Sequence, residues 1–400
     1  MKINWHSNAP WASTGYGNQT RLFTNRIKEI GYGMSITAFY GLQGGMADWH
    51  GIRVMPLGKH PYGQDVIGAA ARFEQSDCII SLLDAWVMEP QNNAGLPWFP
   101  WFPIDCEPMP RAVLEKVRLA TKGIAMSKFG QAQAAAAGLE TFYVPHGVET
   151  DIFKPVSGSR DRLKWPADKF IVGMVAANKD NPPRKSFFEL ITAFKAFHLK
   201  HPDTLLYLHT DDGTRGGQGV NLVDYCQAMG LHIAYQDNYE VADGVEVLFS
   251  DQFTTLMGLP DPYMVDVYNG LDVLMLCSMG EGFGIPLIEA QACGCPVITG
   301  DWTSMGELCF SGWKIKKSEA RQTWEPFFKS WRWQVNPEAV IDRLLKAYEM
   351  RGNQDYRSRA RDGALAYDAD KITEKYWKPV LSEIEEILNA SKSKMELVTF

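Results

Sequence analysis

Residues 278–301, SMGEGFGIPLIEAQACGCPVITGD, combine residue types that suit a phosphorylated ligand. The apolar run VLMLC ends just before them. A loop follows with Glu281-Gly282-Phe283-Gly284, and Pro286 then opens a helix that contains Glu289. Glycine lets the backbone approach a ligand closely and turn sharply. A helix start offers unpaired N–H groups and the positive end of a dipole, which suit a phosphate. Glu281 precedes the helix and is placed to reach polar groups beside that phosphate. Glu289 lies in the apolar stretch PLIEAQA, where an acid is costly unless it meets a donor. Sugar or ribose hydroxyls are such donors. The bland reading of the same residues is a tight turn followed by an acid that favours the helix dipole. A second candidate is Arg184-Lys185, which follows a strand and a loop and immediately precedes a helix. That placement suits an anion; a solvated basic pair is its alternative.

The elements that must position these residues fall into two α/β halves. The first opens with the strand KINWH, the loop SNAPWASTGYG and a helix over Asn18 to Ile30. The strands MSITAFY and CIISLL follow, the latter apolar on both faces as a parallel sheet requires. LPWFPWFPI is strand-like but broken by prolines, which predicts a sheet edge or a loop. The join falls near VPHGVETDIFKPVSGSR. The second half starts at the buried-type strand FIVGMV, and a helix from Ser186 carries Phe187, Leu190, Ile191, Phe194 and Phe197 at helical spacing. Asn336-Pro337 reads as an N-cap and first helical residue. Pro379 lies inside the last helix and is expected to kink it. Alternating strands and helices predict two doubly wound parallel sheets facing a cleft.

Composition sets limits. A chain of 400 residues exceeds what one core usually serves. The net charge of −7 weighs against a general nucleic-acid binder. The seven cysteines are dispersed and read as reduced core thiols. No apolar run is long enough for a membrane span, and MKINWHSN has no secretory h-region, so a cytoplasmic setting is expected.

The pattern Glu281-x7-Glu289 within EGFGIPLIEAQACGCPVI resembles the signature of the retaining glycosyltransferase family 4, glycosyl transferases group 1. VPHGVETDIFKP resembles that family's interdomain segment, and FIVGMVAANKDNPPRKSFFELITAF its first donor-side strand, basic loop and helix. SMGEL at 304–308 is similar to a Ser…Glu stretch of the family. The resemblance is good over roughly residues 120–310 and implies the GT-B fold. That fold has two Rossmann-like domains, here residues 1–155 and 156–371, with a last helix at about 372–390 crossing back to the N-terminal domain. It implies a hexosyltransferase that moves a sugar from a nucleotide-diphosphate donor, linked to UDP or GDP, to an acceptor hydroxyl with retention. Lys185 matches the family's diphosphate-binding lysine, with Arg184 beside it. Glu281 and the backbone of Gly282, Phe283, Gly284 and Ile285 are implied to contact donor sugar and phosphates, and Glu289 the ribose. Gly15 and Gly17 in STGYGN resemble the N-domain glycine loop, a bland loop being the alternative.

Two departures stand out. Relatives often place an arginine after the glycine of the first donor-side strand; here Ala177 and Asn178 stand there, with Asn178 or Arg184 as substitutes. WFPIDCEP falls where many relatives place a catalytic histidine. Asp105 is the candidate catalytic group there, orienting an acceptor hydroxyl or taking its proton, with Glu107 and a purely structural loop as alternatives. Nothing resembles an acidic metal-binding D-x-D pair. Asp211-Asp212 reads as a turn, and activity without metal or cofactor is expected. The acceptor is open: a glycan, lipid, protein, small molecule or modified nucleic-acid base. A non-catalytic carbohydrate- or nucleotide-binding relative, or a sugar-nucleotide epimerase, is the competing class. An NAD-dependent oxidoreductase is disfavoured because neither G-x-G has its third glycine.

Overall fold

The computed structural model describes residues 1–258 and 260–398, with side chains described through Ser391. Two compact units result. The first holds Met1–Gly147, Pro326–Ser330 and the chain from Tyr367 onward; the second holds Val148–Glu325 and Trp331–Ala366.

The first unit is built on strands β1 (Lys2–Asn8), β2 (Gly33–Tyr40), β3 (Ala47–Trp49), β4 (Ile52–Met55), β5 (Cys78–Leu82), β6 (Trp98–Phe102), β7 (Gly123–Ala125) and β8 (Thr141–Tyr143). Their order is β3-β4-β2-β1-β5-β6-β7-β8. Pairing is parallel except for β3 with β4. Chain order reverses beside β1, the type of crevice in which α/β sheets hold ligands. Pro100 within WFPWF does not push β6 to an edge, contrary to the sequence expectation. Pro100 pairs with Ser81 on β5, whereas pairing with β7 begins only at Trp101. The proline therefore has a strand neighbour on one side only, so an internal strand tolerates it.

The last helical segment closes the core of this unit. Trp377 packs on Trp101 (4.9 Å between ring centroids), Trp5 (5.6 Å) and Phe23 (5.9 Å). All four side chains are buried. Pro379 sits at the second position of the helix Lys378–Val398, directly after a π-helical turn over Thr373–Trp377. The wider turn, with the Lys378 N–H bonded to the Thr373 carbonyl, is how the backbone meets the missing proline donor. Among the described residues, no helix is long and apolar enough to cross a membrane.

The second unit contains β9 (Phe170–Val175), β10 (Thr204–His209), β11 (Ile233–Tyr235), β12 (Val247–Phe249), β13 (Val273–Leu276), β14 (Val297–Gly300) and β15 (Gly312–Ile315). Their order is β11-β12-β10-β9-β13-β14-β15, and the pairing is parallel. A separate two-stranded ribbon joins β16 (Ala320–Glu325) to β17 (Ser330–Val335). Pro337 occupies the first turn of Pro337–Glu349, although the Asn336 side chain makes no capping bond. Both sheets are doubly wound and, apart from the β3 edge, parallel, as the sequence pattern predicts.

Buried imidazoles give the fold an acid limit. Burial pushes His6 down to about 4, against the opposing bonds to the Tyr62 and Thr37 carbonyls. Burial also takes His146 to about 3 and His209 to about 4. Below the ordinary value of 6.5, the unfolded chain binds protons that the folded chain refuses. The associated stability is complete above that value and is lost as pH falls towards the folded values. Each imidazole contributes a slope of about 1.4 kcal/mol per pH unit in that window. Urea midpoints measured at pH 7, 6 and 5 are expected to fall steadily, and His6→Gln is expected to flatten the slope. A midpoint independent of pH over this range contradicts the account.

Candidate active site

The second sheet changes direction between β9 and β13, which are direct neighbours with Leu274 opposite Gly173. The loop after β9 carries Arg184 and Lys185; the loop after β13 carries Glu281 to Gly284. The chain thus delivers the basic pair and the acid to one end of adjacent strands, at the switch point where such sheets bind ligands.

There the Lys185 ammonium forms an ion pair with the Glu281 carboxylate. Ser278 Oγ donates to the same Glu281 oxygen at 2.6 Å. The Arg184 guanidinium donates to the Gly280 carbonyl (2.5 Å) and stands 3.8 Å from Glu281 Oε2 and 3.7 Å from Asp180. Burial alone pushes the Glu281 carboxyl up, but Lys185, Arg184 and Ser278 together outweigh it and hold it at about 2. Burial lowers the Lys185 ammonium, which Glu281 partly offsets and Arg184 reinforces. The Glu281 carboxylate is ionised near neutrality, with two basic side chains gathered around it.

The glycine loop is held from behind. Ser304 Oγ shares its one proton between the carbonyls of Glu281 (2.8 Å) and Phe283 (2.5 Å), and the Glu281 N–H donates to Thr303 Oγ1 (3.1 Å). In a trans peptide the N–H points opposite to the C=O. The N–H groups of Gly282 and Gly284 therefore point away from Ser304. Gly284 has φ 111° and caps the helix Ile285–Ala292. That conformation favours glycine. Two non-glycine residues beside the site are also left-handed, Ser186 (φ 56°) and Thr303 (φ 51°). For β-branched Thr303 this is a strained conformation, of a kind that clusters at functional sites.

Glu289 lies four residues beyond Ile285 on the same helix, and its Oε2 accepts from the buried Tyr268 hydroxyl at 2.7 Å. The Asn178 side chain is bonded within the protein. Its amide donates to the carbonyls of Asp211 (3.1 Å) and Val220 (2.7 Å), and its oxygen accepts from the Val220 N–H (3.0 Å). Both amide hydrogens bond to the loop 211–220, which leaves Arg184 as the candidate for the second positive charge. Asp211 and Asp212 accept from Gly213 N, Thr214 N and Tyr235 OH, the pattern of a turn.

Gly15, Gly17 and Asp105 belong to the first unit. Gly15 opens the helix Gly15–Glu29, capped by Thr14 Oγ1 accepting from the Gly17 N–H at 3.0 Å. A Cβ on Gly17 would collide with the Ala12 backbone, so glycine is required there. Asp105 is half-buried just past the carboxyl end of β6. The sequence pattern does not mark Ser278, Thr303 or Tyr268. They act through hydroxyls on the candidate carboxylates and backbone, and hydroxyl residues carry no spacing signature.

The chain is similar to known proteins. Residues 245–311 match the family model of glycosyl transferases group 1, a span that includes Glu281, Glu289 and Ser304. A D-inositol 3-phosphate glycosyltransferase of Mycolicibacterium smegmatis is 31% identical over 157 residues, 38% of this chain and 30% of that protein. An uncharacterized glycosyltransferase of Sulfolobus islandicus rod-shaped virus 1 is 22% identical over 62% of this chain and 69% of its own. The chain thus spans less than a third of the mycobacterial relative. Among solved structures, sucrose-phosphate synthase from Thermosynechococcus elongatus superposes with a TM-score of 0.68 at 15% identity, covering 98% of this chain and 99% of that one. Anabaena HepE in complex with UDP-glucose gives 0.66 at 16% identity, covering 96% and 100%. The fold is GT-B, with two Rossmann-like units, and the chain is similar to group 1 glycosyl transferases.

Proposed function

We propose that the protein transfers a glycosyl group from a nucleoside-diphosphate sugar, linked to UDP or GDP, to an acceptor hydroxyl with retention of anomeric configuration. The observation that carries this reading is the largely buried Lys185–Glu281 pair beside the N–H groups of Gly282 and Gly284, which point away from Ser304. As the bond from the anomeric carbon to the diphosphate breaks, negative charge grows on the leaving oxygen. Lys185, Arg184 and the helix start then stabilise that charge. Glu281 steers Lys185 and faces the sugar hydroxyls. The acceptor oxygen forms the new bond on the face that the diphosphate leaves, and its proton goes to the departing phosphate oxygen. Asp105 is the group assigned to orient the acceptor hydroxyl, supported by its position past the end of β6.

Charge on the diphosphate is met by side chains and N–H dipoles in this scheme, so activity is expected to persist in EDTA. Activity abolished by EDTA and restored by magnesium overturns that part. Thermal-shift titration with UDP, GDP and ADP tests the donor. Saturation at about 100 Kd raises stability by about 2.7 kcal/mol. No shift with any of the three, and no nucleoside diphosphate released from UDP-glucose or GDP-mannose, would sink the reading.

Glu289 is assigned to the ribose hydroxyls, with Tyr268 holding its carboxylate. Tyr268→Phe deletes only that donor. A hydrogen bond to a charged group contributes about 1.5 kcal/mol or more, so nucleotide affinity is expected to drop about tenfold. Unchanged affinity in this variant separates Glu289 from nucleotide binding.

A further inference from the structure

The backbone of Glu281 is fixed on both sides. Its N–H donates to Thr303 Oγ1 at 3.1 Å, and its carbonyl accepts from Ser304 Oγ at 2.8 Å. Those bonds leave the rotations of the side chain unsettled.

Two donors meet the carboxylate, and both bond to the same oxygen. Lys185 Nζ and Ser278 Oγ share Oε1, the serine at 2.6 Å. They are unequal as anchors. An ammonium rides on a flexible four-carbon stem, whereas a serine hydroxyl has one side-chain rotation to fix. The Ser278 backbone is itself held. Its carbonyl accepts from Nε1–H of the buried Trp302 at 3.0 Å, and the next residue, Met279, donates its N–H to the Arg184 carbonyl at 2.8 Å. Ser278 is buried, and among the described residues its hydroxyl makes no other hydrogen bond. The short donor thus fixes the carboxylate, and the carboxylate fixes the ammonium. The second oxygen stays open. Among the described residues Oε2 accepts no hydrogen bond; the Arg184 guanidinium stands 3.8 Å away, beyond hydrogen-bond reach. Nor is Oε2 sealed from solvent.

We propose that Ser278 is a positioning residue: by engaging Oε1 it turns the Glu281 carboxylate so that Oε2 alone faces the ligand and Lys185 is aimed at the departing phosphate oxygen. This rests on the donor reading above and divides the work within one carboxylate. Oε1 is taken by internal donors, so Glu281 acts on the ligand as a fixed acceptor through Oε2. Without the hydroxyl, the flexible lysine is the only bonded anchor left, and the pair samples arrangements in which the ammonium misses the developing charge. A misplacement of about 1 Å costs about 10²-fold in rate. Ground-state binding of the nucleotide does not depend on that aim, so the loss falls on kcat.

The test is a double-mutant cycle on release of nucleoside diphosphate from UDP-glucose and GDP-mannose. It compares the wild type, Ser278→Ala, Glu281→Ala and the variant carrying both changes. Ser278→Ala is expected to lower kcat at least about tenfold, with KM for the sugar donor within about threefold and the thermal shift by UDP or GDP retained. In the Glu281→Ala background the same change is expected to cost less than about twofold, because no carboxylate is left to orient. A hydroxyl that merely supports the loop would cost the same in both backgrounds. The role is overturned if Ser278→Ala keeps kcat within about threefold of the wild type, if its nucleotide shift disappears along with turnover, or if its loss persists undiminished beside Glu281→Ala. The two readings separate in the wild type. No nucleotide shift and no release removes the donor reading and this role with it, whereas an active wild type beside an indifferent Ser278→Ala removes this role alone.

Discussion

Lys185→Ala is expected to lower the release of nucleoside diphosphate from its sugar donor by about 10²–10³-fold, the loss typical of removing one preorganised donor to a developing anion. The same change takes the nearer of two cations from the buried Glu281 carboxylate and leaves only Arg184, at 3.8 Å. Removing one member of a buried pair costs about 3–5 kcal/mol. Because the pair is largely buried, the variant is expected to lose stability as well as turnover. The two effects separate with Lys185→Met/Glu281→Leu, which removes both charges and keeps volume. That variant is expected to recover most of the stability and none of the turnover. Turnover within threefold of the wild type in either protein, measured by coupled detection of released UDP or GDP, places the diphosphate elsewhere.

Trp377→Ala carries the second large effect, on the first unit. The indole is fully buried against Trp5, Trp101 and Phe23. Truncating a large aromatic in such a core costs about 3–5 kcal/mol. For a unit of this size that lowers its melting temperature on the order of 10 °C. Calorimetry is expected to show the loss in one transition, with the nucleotide-stabilised transition of the other unit in place. A variant melting within 2–3 °C of the wild type contradicts the keystone role, by the same scaling.

The two sheets were legible because parallel strands buried on both faces read as unbroken apolar runs, such as CIISL in β5 and FIVGMV in β9. The Glu281 loop was legible because glycine, proline and acid occupy fixed offsets around a helix start. What escaped depends on partners distant in the chain. Pro100 looks like a strand breaker until β7 is seen to begin one residue later. Asn178 looks available for a phosphate until Val220, 42 residues on, takes its amide. Tyr268 is one tyrosine among fifteen until its hydroxyl is found on Glu289.

The contribution of Trp377 to the first core bears on synthesis. A ribosome emits Met1–Gly147 long before it emits residue 377. Until then, the nascent first unit has a gap where the indole belongs, bordered by Trp5 and Trp101. The second unit, complete at Ala366, leaves the exit tunnel whole while its elder neighbour still waits. Translation order and maturation order are therefore opposed, and the earliest-made half of this chain is the one that spends longest needing protection from aggregation.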